Sequence, residues 1–316
     1  MNKTLINSLD FTSLPLGTAG VVAGAATAAL QGFFDMTAFL LCLAFAVTAQ
    51  LASNLIFVNA FIVQGGDISA EYFEAYTQTR PYNGAGHLLR RYIMLFGTLA
   101  AAAAAAMWYV GGWWVLIPGA LLLVHILFSC LGTKHIARSP ISTILVFLTF
   151  GPVSVVSTTY LMARHSAITG LTDYDMGPSM FAAIIIGLYA CSSHIMYNYQ
   201  AFDTDWQYNK HSLVNILGKP GGRIVLMLNS VAAILVAAVA SWIYPVQMQW
   251  IPVGIFAVGI LLSAATAYYM QKLKGSKYLL LTTLFNTGVL LLAVLLFIDF
   301  YISDLQNAEN NFFFRF

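Results

Sequence analysis

Apolar residues along this chain gather into long blocks, and polar residues fill the gaps between them. The apolar windows fall at about 14–32, 36–63, 91–110, 112–131, 140–163, 177–198, 221–244, 250–271 and 277–301. An α-helix needs about 20 residues to cross the hydrocarbon core of a bilayer, so each window is read as one crossing. The stretch 91–131 is too long for a single span, and "YVGGWW" within it is read as a turn. The pattern predicts an all-α membrane protein of nine transmembrane helices, one polytopic membrane domain over residues 1–316.

The polar gaps are not alike. With nine spans, the N-terminus and alternate loops hold Lys3, Arg80, Arg90, Arg91, Lys134, Arg138, Lys210, Lys219, Arg223, Lys272, Lys274 and Lys277. The opposite side holds only Arg164 and Arg315, so 12 of the 14 basic residues share one face. Cytoplasmic loops carry the excess of Lys and Arg. The N-terminus is therefore expected in the cytoplasm and the tail "SDLQNAENNFFFRF" outside. Short loops suit a bacterial inner membrane.

Composition agrees with this reading. Hydrophobic residues make up 59% of the chain and charged residues 8%, against about 25% charged in soluble domains. The net charge of +2 comes with no basic run or module that would bind nucleic acid. Cys42, Cys130 and Cys191 lie in or beside apolar runs, without disulfide or metal spacing. Gly17, Gly20 and Gly24 in the first span, and "LAAAAAAAM" in the third, read as close-packing surfaces. No charged residue lies at the centre of a span and no inverted repeat is evident, which disfavours a transporter or channel.

The acids are concentrated. Asp67, Glu71 and Glu74 follow the second span, and Asp203 and Asp205 follow the sixth, in the two longest loops of the basic side. Mixed acids and bases there suit an anionic ligand held through a divalent cation, since Mg²⁺ takes one or two carboxylates plus phosphate oxygens. Asp203 and Asp205 are two residues apart and diverge if they lie on a helix.

Four stretches, in order, carry a resemblance: "FTSLPLGTAGVVAGAATAALQGFFD", "TAQLASNLIFVNAFIVQGGD", "VFLTFGPVSVVSTTYL" and "NYQAFDTDWQYNKHSLVNILG". Over about residues 10–223 the chain resembles the UbiA superfamily of intramembrane prenyltransferases, most closely the branch that prenylates dihydroxynaphthoate in menaquinone synthesis. The resemblance implies nine helices around a central cavity that opens to the cytoplasmic side. It implies Mg²⁺ ions held by two Asp-rich motifs on a prenyl diphosphate, stabilising the leaving group as the allylic C–O bond breaks. An aromatic acceptor is then alkylated, and the isoprenoid tail lies in an apolar tunnel.

This sequence departs from the family pattern at the metal positions. Asn54 of the first motif is present, but Val58 and Phe61 stand where the family has Asp, and only the later Asp67 agrees. In the second motif Ala201 replaces the first Asp and Asp205 keeps the second, while Asp203 stands where Glu is usual. Ser142 and Thr143 replace a Gly-Glu pair before the fifth span. The resemblance thus implies metal ligands at Asp67, Asp203 and Asp205. It implies diphosphate contacts from Asn54, Arg80, Arg90, Arg91, Asn198 and Lys210. The expected activity is transfer of a polyprenyl group from a prenyl diphosphate to an aromatic quinone precursor. The alternative is a non-catalytic relative that binds an isoprenoid lipid, a quinone or a partner subunit.

Overall fold

The computed structural model describes residues 8–63, 85–130, 139–165, 175–207, 211–244 and 251–313. The described residues are helical and contain no strand. In chain order the helices are α1 (Leu14–Leu30), α2 (Met36–Val63), α3 (Ala85–Gly111), α4 (Leu116–Cys130), α5 (Ile141–His165), α6 (Met176–Gln200), α7 (Phe202–Gln207), α8 (Leu213–Ile243), α9 (Ile251–Met270) and α10 (Ser276–Phe313). Among the described residues, seven segments are long and apolar enough to cross a membrane, and α1 is a shorter apolar helix. The stretch Gly86–Ile126 counts as one of the seven. It is divided by a 3₁₀ turn at Gly112–Val115, where Gly112 takes φ 68°, a left-handed conformation that glycine adopts without a Cβ clash.

α1 and α6 are the inner helices. α1 packs against α10, α6 and the second half of α5, and α6 packs against α8. The glycines of α1 explain the approach to α5. A Cβ on Gly20 would sit 2.7 Å from the Phe150 carbonyl oxygen, and one on Gly24 would sit 2.5 Å from that of Val155. Both clashes are with backbone, so the two helices meet only because no side chain intervenes. Thr27 and Thr159 then share a hydrogen bond of 2.7 Å across the seam.

α5 is not uniform. Thr149–Val153 forms a π-helical turn that contains Pro152, which has no N–H to give to the helix ladder. Gly151 faces α6 there, and a Cβ on it would lie 2.3 Å from the Ala183 carbonyl oxygen. α8 is broken at Gly218 (φ 74°, ψ 167°), just before Pro220, so its first turn is separate from the long helix after it. Outward positions of α8, α9 and α10, such as Leu228, Leu235, Leu261, Leu284 and Leu291, are exposed and apolar, as a lipid-facing surface requires. The alanines of α3 differ from the packing surface expected of them, because Ala100, Ala101 and Ala104 line a large, partly open cavity.

Candidate functional site: an amphipathic cavity

A cavity of about 1180 Å³ lies between α1, α2, α3, α4, α5 and α6. Val21, Cys42, Phe45, Met107, Trp108 and Val115 wall one part of it. Helix direction puts this apolar part toward the α1–α2 turn. Asp10, Thr12, Ser13, Gln50, Asn54 and Tyr197 line the cavity where α1 begins and α2 and α6 finish, and Ser154, Ser157 and Thr158 line it further along α5.

The turn before α1 builds that polar end. Asp10 has φ 42°, an uncommon conformation that Asp tolerates better than most residues. Its carboxylate accepts from the Thr12 hydroxyl and, at 3.3 Å, from the Tyr197 hydroxyl of α6. Thr12 Oγ1 also lies 2.8 Å from Tyr197 Oη. Burial pushes the Asp10 carboxyl above its ordinary value, against the lowering effect of the Thr12 and Tyr197 hydrogen bonds. The turn is clamped from two further sides. Asn54 Nδ2 on α2 donates to the carbonyls of Leu9 (2.8 Å) and Asp10 (3.3 Å) and to Ser13 Oγ (3.0 Å). Asn286 Nδ2 on α10 donates to the Thr12 carbonyl at 2.7 Å.

α4, α5 and α6 supply a second set of polar groups. His125 Nδ1 lies 2.6 Å from Thr149 Oγ1 and 3.2 Å from the Leu145 carbonyl oxygen. His194 Nε2 lies 3.1 Å from Ser142 Oγ, which itself donates to the Ser139 carbonyl at 2.8 Å. Ser142 therefore hydrogen-bonds a histidine of α6. His125, Ser142, Thr149, Ser193 and His194 all line the cavity.

The residues singled out from the sequence separate. Asn54 and Asn198 line the cavity, and Asn198 is 1% exposed. Val58 also lines it, packed with Leu51, Leu55 and Leu89. Phe61 lies in α2, but its side chain falls outside the described residues, as do Asp67, Arg80 and Lys210 altogether. Arg90 and Arg91 are exposed on the first turns of α3 and do not line the cavity. Ala201 is fully buried at the junction of α6 and α7. Asp203 and Asp205 diverge on the short helix α7. Asp203 is exposed and pairs with Lys219 at 2.9 Å, whereas Asp205 is fully buried. Asp10, Tyr197, His125 and Gln50 were not legible as site residues. The one local signal was an acid followed by Thr-Ser just before the Leu-Pro start of α1.

A divalent metal wants oxygen ligands. At the described positions that the resemblance aligns with metal ligands, Val58 and Ala201 offer none, Asn54 Oδ1 already accepts from Gln50 Nε2 at 3.0 Å, Asp203 is paired with lysine, and Asp205 alone keeps a buried carboxylate, outside the cavity lining. Among the described residues no three His, Cys, Asp or Glu side chains converge. These residues do not fit a pair of Mg²⁺ ions. What the site can do is hold an elongated apolar molecule and hydrogen-bond its polar end.

Comparison with known proteins agrees with the fold. The chain is similar in structure to a UbiA homologue from Aeropyrum pernix K1, with TM-score 0.62, 15% identity, and coverage of 89% of this chain and 96% of that one. It is also similar to the structure described as "Structural and mechanistic insights into the biosynthesis of Digeranylgeranylglyceryl phosphate synthase in membranes". There the TM-score is 0.52 and the identity 14%, over 96% of this chain and 100% of that one. No curated protein matches by sequence. The family model described as "UbiA prenyltransferase family" matches residues 18–278, and the chain belongs to that family.

Proposed function

We propose that this chain is a UbiA-family membrane protein that holds an isoprenoid lipid in its central cavity without ionising a prenyl diphosphate. The observation that carries this reading is the use made of Asn54. Its amide is spent on the carbonyls of Leu9 and Asp10 and on Ser13, so the turn before α1 stands where the resemblance would place diphosphate contacts. The apolar Val58 and Ala201 and the Lys219–Asp203 pair support it. So does the lack of any Lys or Arg among the described residues that line the cavity. The N-terminus is cytoplasmic in this reading, the C-terminus is external, and residues 1–316 make one polytopic domain of a bacterial inner membrane.

The second reading is transfer of a polyprenyl group to an aromatic acceptor of the menaquinone pathway. The retained Asp205, fully buried beside the end of α6, favours it. That reading needs Mg²⁺ on Asp67, Asp203 and Asp205, with Lys210 and Arg80 against the phosphates.

The test is extraction of the protein in native nanodiscs, followed by mass spectrometry of bound lipid and an assay of prenyl transfer from geranylgeranyl diphosphate with Mg²⁺. Bound isoprenoid without transfer supports the first reading. Transfer that is lost in Asp205→Ala supports the second.

A further inference from the structure

The polar atoms that the cavity leaves unspent point to one kind of head group. The Leu145 carbonyl can only accept, so His125 Nδ1 carries the proton in that 3.2 Å contact. Thr149 commits its own proton to the same carbonyl at 2.8 Å, and its oxygen accepts from the ring. In the neutral imidazole Nε2 is then a bare acceptor. Gln50 follows similar logic. Its Nε2 donates to Ser13 Oγ at 3.3 Å and to Asn54 Oδ1 at 3.0 Å. That orientation is fixed because the Asn54 amide nitrogen is needed by two carbonyls. Gln50 Oε1 is left as an acceptor. Ser193 Oγ is buried without a partner on the cavity wall, and a hydroxyl both donates and accepts.

These are two neutral acceptors, on α2 and α4, and one buried hydroxyl, on α6, beside the Ser154 and Ser157 hydroxyls of α5 that also line the cavity. Asp10 is the carboxyl that lines the same cavity, and no Lys or Arg lines it among the described residues. A diphosphate has only acceptor oxygens and carries negative charge. Here it would meet two acceptors and an acid, with hydroxyls but no Lys or Arg among the described lining residues to offset its charge after leaving water. An alcohol matches, because its O–H donates to the nitrogen or the amide oxygen and its oxygen accepts from serine. Its chain would lie against the apolar part of the same cavity.

We propose that the head group bound in this cavity is an uncharged hydrogen-bond donor, the hydroxyl of a long-chain isoprenoid alcohol, recognised by His125 Nε2, Gln50 Oε1 and the Ser193 hydroxyl. This rests on the reading of the cavity as an isoprenoid site and adds what the isoprenoid carries at its polar end.

Three probes that share one chain test it on the unmodified protein: geranylgeraniol, its methyl ether and its diphosphate. The ether accepts but cannot donate. Binding to the protein in phosphatidylcholine nanodiscs is followed by Trp108, which lines the cavity, and counted by native mass spectrometry. The alcohol should bind about tenfold more tightly than either other probe, the scale of one neutral hydrogen bond. His125→Ala should bring the alcohol and the ether to within about twofold while the protein still counts one bound alcohol. Ether binding as tight as alcohol, or diphosphate binding at least as tight, overturns the donor head group and leaves an isoprenoid site standing. Binding of none of the three overturns the isoprenoid reading and this inference together.

Discussion

Replacing Asn54 by alanine separates a structural role from a ligand-binding one. The side chain makes four hydrogen bonds, three of them at 3.0 Å or less: Nδ2 to the Leu9 carbonyl, Nδ2 to Ser13 Oγ, and Oδ1 from Gln50. A typical hydrogen bond contributes about 1 kcal/mol net, and a buried group left without its partner costs about 1–3 kcal/mol. Leu9 is 5% exposed, so its carbonyl has little water to turn to. The expected loss is about 2–4 kcal/mol, with some relief from relaxation of the turn. Asn54→Asp should cost at least as much, since it keeps the size but exchanges the donor for an acceptor that faces two carbonyls. The assay is equilibrium unfolding in mixed micelles, with hydrogen exchange read at residues 9–13. Exchange there should accelerate in both variants. A loss below about 0.5 kcal/mol, with protection at 9–13 unchanged, would refute the reasoning and return Asn54 to a ligand.

Other consequences follow from single contacts. Because burial raises the Asp10 carboxyl in the folded protein, its favourable contribution is complete below the ordinary carboxylate value of 3.8 and is lost as pH rises through the folded value. Asp10→Asn should flatten that decline in unfolding experiments across pH, and an unchanged slope would contradict it. Asp35 shows the opposite sign. Burial works against its carboxylate, but hydrogen bonds from the Ala38 N–H and from His165 (2.9 Å) outweigh burial and hold it below the usual range. Its contribution is present above 3.8 and lost as pH falls through the folded value, so the difference between wild type and Asp35→Asn, less than about 1 kcal/mol at neutral pH, should vanish in acid. Gly24→Val should separate α1 from α5 and cost about 1–3 kcal/mol, measured by unfolding; a neutral effect would mean the 2.5 Å approach to the Val155 carbonyl is not tight. The combined change Val58→Asp, Phe61→Asp and Ala201→Asp should destabilise the protein in chelator and gain diphosphate binding at saturating Mg²⁺, checked by calorimetry. If Mg²⁺ makes no difference, the alignment of these three positions to metal ligands is wrong.

The helices were legible because lipid-facing spans need continuous apolar runs. The windows at 36–63 and 250–271 nearly coincide with α2 and α9. The window at 221–244 started late, because "NILGKP" reads as a loop, whereas helix resumes on both sides of the left-handed Gly218. Gly20 and Gly24 were recognisable as packing positions, since only backbone approach explains glycine on one face of a span. The divergence of Asp203 and Asp205 on a helix also followed from their spacing, and α7 produces it. The polar end of the cavity was hidden for a different reason. Asp10 meets Tyr197 across 187 residues, and nothing local marks either as the other's partner. His125 and Gln50 are isolated polar residues in apolar runs, and only the fold brings them to the wall of one cavity. Asp67, Glu71 and Glu74, the set nearest to a metal site in the sequence, lie outside the described residues.

Release of inorganic diphosphate tests the central claim most directly. Purified protein in nanodiscs is incubated with geranylgeranyl diphosphate, a dihydroxynaphthoate acceptor and low-millimolar Mg²⁺, and released diphosphate is counted against an empty-nanodisc control. A cavity whose Asn54 is committed to the turn before α1, in a chain with Val58 and Ala201 where the resemblance expects carboxylates, predicts release no greater than the control while geranylgeraniol still binds. Release well above the control, abolished by Asp205→Ala, would contradict it and establish the chain as a working transferase.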